Sequence, residues 1–121
     1  SVTVFPYKRD GKLLGVALES KGKGFGGDIG VMVGFSLANN SLLGIGITEM
    51  RETPGLGTKV AAPKFSGQFA GKPLAVDLTS KGGTIDAISG ATISSTGTVT
   101  AVQSAAKAFQ ALKTDIQKSW Q

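Results

Sequence analysis

Asp86-Ala87-Ile88-Ser89-Gly90-Ala91-Thr92 marks the point at which the chain changes its period. Upstream, short apolar runs alternate with polar residues and glycine punctuates them, the pattern of half-buried strands. Downstream of Ile93, apolar residues recur at Val99, Val102, Ala106, Phe109, Leu112, Ile116 and Trp120, one face of an amphipathic helix. Lys107, Lys113 and Lys118 fall in its later turns, where cations complement the helix dipole. The expected fold class is α+β: a twisted, mainly antiparallel sheet with a long C-terminal helix packed on it. Residues 89–92 then sit just before or within the first helical turn. Backbone N–H groups without intrahelical partners, at the positive end of the dipole, suit that turn to a phosphate. Gly90 and Ala91 would let a ligand approach the backbone closely, and Thr92 adds a hydroxyl at the same spot. The same residues also read as an ordinary helix N-cap, with Ser and Thr oxygens satisfying the orphan donors.

Working outward, residues 2–7 and 12–18 flank Arg9-Asp10-Gly11, a hairpin signal. Residues 30–37 place Val31, Val33, Phe35 and Leu37 on one side and Gly30, Met32, Gly34 and Ser36 on the other. After the Asn39-Asn40 turn, Leu43, Ile45 and Ile47 repeat the pattern opposite Gly44 and Gly46. These two strands are expected to pair antiparallel, with the large side chains forming the core face. The glycine-rich face is left for a helix or a flat ring to approach. Residues 54–71 read as two short helical turns, 60–62 and 65–69, interrupted by Pro63. Residues 74–78 read as one more strand. No internal repeat or linker divides the chain, so residues 1–121 are expected to form a single domain.

Composition narrows the chemistry. The chain has no Cys and no His, which removes disulfides, thiol nucleophiles and the commonest general base and metal ligand. Neither a catalytic residue set nor a metal site is expected. The net charge of +5 is spread without a run, so nucleic acid is not an expected partner. Gly22-Lys23-Gly24-Phe25-Gly26-Gly27 fits G-x-G-x-x-G, but a strand pattern follows where a dinucleotide fold needs a helix. A Rossmann reading is rejected, which leaves a flexible turn between strands as the plain alternative.

The seven residues from Asp86 to Thr92, followed by Ile93-Ser94-Ser95, resemble the covalent-flavinylation motif of one family of FMN-binding domains. These are the domains of the G subunit of the Rnf electron-transport complex and of the C subunit of sodium-translocating NADH:quinone reductase. Two further segments carry the resemblance in the same order, the Gly-aromatic-Gly run around Phe25 and Gly26, and Glu52-Thr53-Pro54-Gly55-Leu56-Gly57. One departure is Met50, where members of the family often carry a His two positions before that Glu. It puts in question a proton-relay role at this position, but not flavin binding. The close spacing of the three segments fits the Rnf G subunit better than its longer sodium-pump relative.

The resemblance implies FMN held covalently by a phosphoester to Thr92, attached by a separate flavin transferase that uses FAD as donor. Ser89, Gly90, Ala91, Ile93 and Ser94 would surround the phosphate. Glu52, Thr53, Gly55, Leu56 and Gly57 would contact the flavin or its ribityl chain, and Phe25 with Gly26 its ring. Asp86 would be recognised by the transferase, or else be a loop carboxylate that accepts a backbone hydrogen bond. The implied function is electron transfer within a membrane-bound, ion-translocating ferredoxin:NAD oxidoreductase, with its other subunits as partners. The domain would sit on the periplasmic face of the inner membrane, anchored by a helix not among these residues. The alternatives are an FMN-binding domain of an extracytoplasmic sensor or reductase, and a flavin-free interaction domain.

Overall fold

The computed structural model describes residues 4–23, 27–38, 40–49, 63–88 and 91–120. Its first hairpin follows from Asp10-Gly11. Both residues take positive φ, 53° and 78°, as the centres of a type I′ turn require, and that turn has the twist of paired strands. It joins β1 (Val4–Arg9) to β2 (Lys12–Lys23), with Arg9 opposite Lys12 and Val4 opposite Leu18. β3 (Asp28–Ser36) and β4 (Ser41–Glu49) continue the antiparallel meander in the order β1-β2-β3-β4. Because a strand begins at Asp28, the preceding glycines do not open a dinucleotide-binding helix.

The core forms on the face carrying Val16, Leu18, Val31, Val33 and Phe35, each at most 1 % exposed. Across it lies the long C-terminal helix (Thr92–Trp120), which buries Val99, Val102, Ala106 and Phe109 and packs Leu112 at the margin. This is the face that the helical spacing predicts; the side chains of Ile116 and Trp120 lie outside the described residues. Phe35 and Phe109 stack with ring centroids 4.5 Å apart and planes within 3°. Phe65, Phe69, Val76, Leu78 and Ile85 from the connecting segment complete the core. The helix covers the large-residue face of the sheet and not the glycine-rich one.

Gly22 marks a point of backbone contact between helix and sheet. A Cβ there would stand 1.8 Å from the Gly97 carbonyl oxygen and 3.2 Å from the Ala101 nitrogen. At the other end, Lys113 Nζ donates to Asn40 Oδ1 beside the β3–β4 turn. The long helix therefore runs antiparallel to β2, with its N-terminus at the end of the sheet where β2 stops, β3 starts and β4 ends. At that end Gly22 pairs with Ile29 and Gly30 with Glu49.

Two expectations need correction. Alternation places Leu43 in the core, but it is 51 % exposed and Leu42 is buried instead. Gly34 pairs with Gly44 while Phe35 pairs with Leu42, so Leu43 is the extra residue of a bulge that resets the alternation. Residues 74–78 are not a strand. Pro73 makes an isolated bridge to Ser41 and Leu78 another to Ile85; between them the Val76 N–H bonds back to the Leu74 carbonyl at 3.2 Å, which turns the chain. Gln103 Nε2 then fastens the Val76 carbonyl to the long helix at 2.9 Å. In the connecting segment Pro63 is the first residue of the short helix α1 (Pro63–Ser66), where its missing N–H has no partner to lose. The expected turn at 65–69 is present as α1 and the 3-10 turn Gly67–Phe69; that at 60–62 lies outside the described residues. The long C-terminal helix is accordingly α2.

Candidate functional site

Ala91 occupies the N-cap position of α2: its carbonyl accepts the first helical bond from the Ser95 N–H at 3.0 Å. An alanine has no oxygen to offer the first-turn N–H groups, where Ser, Thr, Asp or Asn would contribute about 1 kcal/mol. Three hydroxyls in the first turns of α2 point the other way. Ser95, Thr96 and Thr98 donate to the carbonyls of Ala91, Thr92 and Ser94 at 2.9, 2.8 and 2.9 Å, back-bonding along the helix. Thr92, the first helical residue, is exposed. Ile93 beside it is 52 % exposed, whereas Ser94 turns inward at 2 %. The surface of the helix start thus presents the exposed Thr92 at the positive dipole end, beside the apolar side chain of Ile93. A helix start of this kind suits a phosphate group.

The loop before Thr92 is tied down at both ends. Gln68 grips Asp86 twice: its Oε1 accepts from the Asp86 N–H at 2.7 Å and its Nε2 donates to the Asp86 carbonyl at 3.0 Å. Ser95 Oγ accepts from the Ile88 N–H at 3.0 Å, and the Ala91 N–H donates to the Ile88 carbonyl at 2.9 Å. The Asp86 side chain stays exposed. Ser89 and Gly90, between these anchors, lie outside the described residues.

So do Phe25 and Gly26, and likewise Glu52, Thr53, Gly55, Leu56 and Gly57. Their flanks are described, however, and they converge. Gly22 touches Gly97, which is five residues, or about 7.5 Å, along the helix axis from Thr92. β4 delivers the chain to the second marker segment at Glu49, opposite Gly30. All three segments are therefore entered at the same end of the sheet. An open groove of about 520 Å³ between residues 74–77 and the stretch of α2 from Thr100 to Gln110 is separate. It begins about 12 Å along the axis from Thr92 and contains none of the residues that the motifs single out.

Sequence pattern gives no role to Gln68, and Ser95 enters it only as a residue that follows the seven-residue motif. No signal would have found Gln68, since a side-chain amide bonded to a distant backbone leaves no periodicity. Gly22 was visible within the glycine run, but only as part of a turn.

Comparison with known proteins agrees with this geometry. The chain is 42% identical over 96 residues to the G subunit of the ion-translocating oxidoreductase complex of Methanosarcina acetivorans, covering 78% of this chain and 51% of that protein. It is 33% identical over 117 residues to the G subunit of the Na(+)-translocating ferredoxin:NAD(+) oxidoreductase complex of Acetobacterium woodii, covering 90% and 56%. The chain thus spans about half the length of the curated relatives it matches. Among solved structures, NqrC of Shewanella oneidensis superposes with a TM-score of 0.70 at 32% identity, over 83% of this chain and 52% of that one. The C subunit of the Na(+)-translocating NADH-quinone reductase of Parabacteroides distasonis gives 0.73 at 27% identity, over 90% and 61%. With the profile of the FMN-binding domain matching residues 24–107, and a meander sheet under one long C-terminal helix, the chain belongs to the FMN-binding domain family.

Proposed function

We propose that residues 1–121 form a single FMN-binding unit of an Rnf-type G subunit, with FMN held through a phosphoester to Thr92. The unit would pass electrons within a membrane-bound, ion-translocating ferredoxin:NAD oxidoreductase. The observation that carries this reading is the helix start: an exposed Thr92 at the first helical position, behind an N-cap residue that cannot cap. The same observation disfavours the reading in which this segment merely caps a helix. Thr92 would hold the phosphate covalently, and the Ile93 and neighbouring first-turn amides would stabilise its remaining negative charge. The segments around Phe25 and from Glu52 to Gly57 would supply ring and ribityl contacts. FMN bound there supplies the redox chemistry, and the protein sets its position and potential. No acid, base or nucleophile of the chain is needed for electron transfer.

The partners in this reading are the other subunits of the complex and, during maturation, a flavin transferase with FAD as donor. The domain would face the periplasmic side of the inner membrane. Among the described residues no helix is long and apolar enough to cross a membrane. The test is Thr92→Val, which keeps the shape and removes the hydroxyl. Incubated with a flavin transferase and FAD, the parent is expected to gain the mass of one FMN less one water, and the variant none. A variant that still gains that mass would place the attachment on a neighbouring Ser or Thr.

A further inference from the structure

The loop ahead of Thr92 is more fully bonded than an exposed turn requires. Ile85 is buried and held on both sides, its N–H to the Asp77 carbonyl at 3.1 Å and its carbonyl by the Thr79 N–H at 2.9 Å. Asp86 is held on both sides by Gln68, and Ile88 by Ser95 Oγ and the Ala91 N–H. Two of these partners are side chains outside the seven-residue motif. Gln68 is itself fixed, because the next residue, Phe69, is fully buried and packs edge-on against Phe65 at 5.6 Å. Ser95 is fully buried one turn into α2, and its hydroxyl bridges the loop to the helix start by accepting from Ile88 and donating to Ala91. These bonds hold the backbone at Asp86 and Ile88 against the connecting segment and the start of α2, with the Asp86 side chain and Thr92 both exposed. Solvent-competing bonds such as those of Gln68 add little to global stability. Their effect falls on the conformation of the loop.

We propose that Gln68 and Ser95 are positioning residues for flavin attachment, holding Asp86 and Thr92 as a rigid pair so that the acceptor hydroxyl meets the donor already oriented. This rests on the reading that Thr92 is the acceptor. The step served forms the bond between Thr92 Oγ and the flavin-side phosphorus of FAD. It breaks the pyrophosphate bond at that phosphorus; AMP leaves and the hydroxyl proton passes to solvent. Preorganising the acceptor accelerates such a transfer, because less orientational freedom has to be lost on the way to the transition state.

The experiment follows FMN attachment to purified protein by mass spectrometry, with a flavin transferase and FAD, for the parent, Gln68→Met, Ser95→Ala and the distant control Gln110→Met. Gln68→Met keeps the length of the side chain and removes both hydrogen bonds. It is expected to lower kcat for attachment roughly tenfold, with KM for FAD and the melting temperature unchanged. Ser95→Ala should lower it similarly, with some loss of stability. Amide exchange at Asp86 should quicken in Gln68→Met, and at Ile88 in Ser95→Ala, while Gln110→Met behaves as the parent. Attachment at the parental rate by a Gln68→Met protein whose Asp86 amide exchanges faster overturns the proposal and leaves Thr92 as the acceptor. A parent that never gains FMN at Thr92 removes the acceptor reading and this proposal with it.

Discussion

An alanine at a helix N-cap is a local defect that a bound anion could make good. At Ala91 the cap residue contributes no oxygen, and Ser95, Thr96 and Thr98 spend their hydroxyls on carbonyls one turn back. Ala91→Ser would supply the missing acceptor. It is expected to raise the stability of the flavin-free protein by about 1 kcal/mol, or about 4 °C in melting temperature for a domain of this size. The same oxygen would compete with a phosphate for the first-turn N–H groups, so flavin attachment should slow. A variant that is both more stable and loaded at the parental rate would show that phosphate does not use those donors. At this scale the motif was legible: Asp86 to Thr92 and the change of period behind it located the helix start in the sequence. Gln68 was not legible, because a glutamine in a short 3-10 turn looks like any polar surface residue until the fold brings Asp86 to it.

The elements were read from their periods, and the misreadings came where a period is interrupted by a single residue. β4 alternates on either side of a one-residue bulge, so extrapolating back from Ile45 and Ile47 put Leu43 on the wrong face. Residues 74–78 have the apolar content of a strand, but a strand also needs a neighbour along its length. Here the chain turns at Ala75 and bonds to α2 through Gln103. How closely two elements approach is likewise invisible to periodicity. Gly97 in a helix costs roughly 1 kcal/mol relative to Ala where it is exposed, which makes its presence early in α2 look unfavourable. The structure supplies the compensating contact, since Gly97 is buried against Gly22 with no room for a Cβ on the strand side. Gly22→Ala would drive a methyl into the Gly97 carbonyl and is expected to cost about 3 kcal/mol, as overpacking does when backbone must move. Gly46→Ala, with nothing within 4 Å of its Cβ and no positive φ, should lie within about 0.5 kcal/mol of the parent. Urea unfolding of the two variants makes the comparison; equal midpoints would mean that helix and strand are further apart than this geometry has them.

For the molecule as a whole, the consequence of an antiparallel helix on a meander sheet is that the two ends of the domain differ in kind. One end carries the start of α2, the exit of β2 at Gly22, the start of β3 and the exit of β4 at Glu49. The other carries the Asp10-Gly11 turn, the β3–β4 turn and Lys113 on Asn40. Thr92 and Lys113 are 21 residues apart on one helix, a separation of about 31 Å along its axis. A flavin tethered at Thr92 can reach one end and not the other. Attaching FMN is therefore expected to shift backbone amide NMR signals at Gly22, Lys23, Asp28 and Glu49, and to leave those of Asp10, Gly11, Asn40 and Lys113 in place. The effect should weaken in Gly55→Val, where a branched side chain would crowd a segment that the motif order assigns to the flavin. Shifts confined to residues 91–96, with none at the ends of β2, β3 and β4, would mean that Thr92 is only a tether and that the ring is recognised elsewhere, on another protein of the complex.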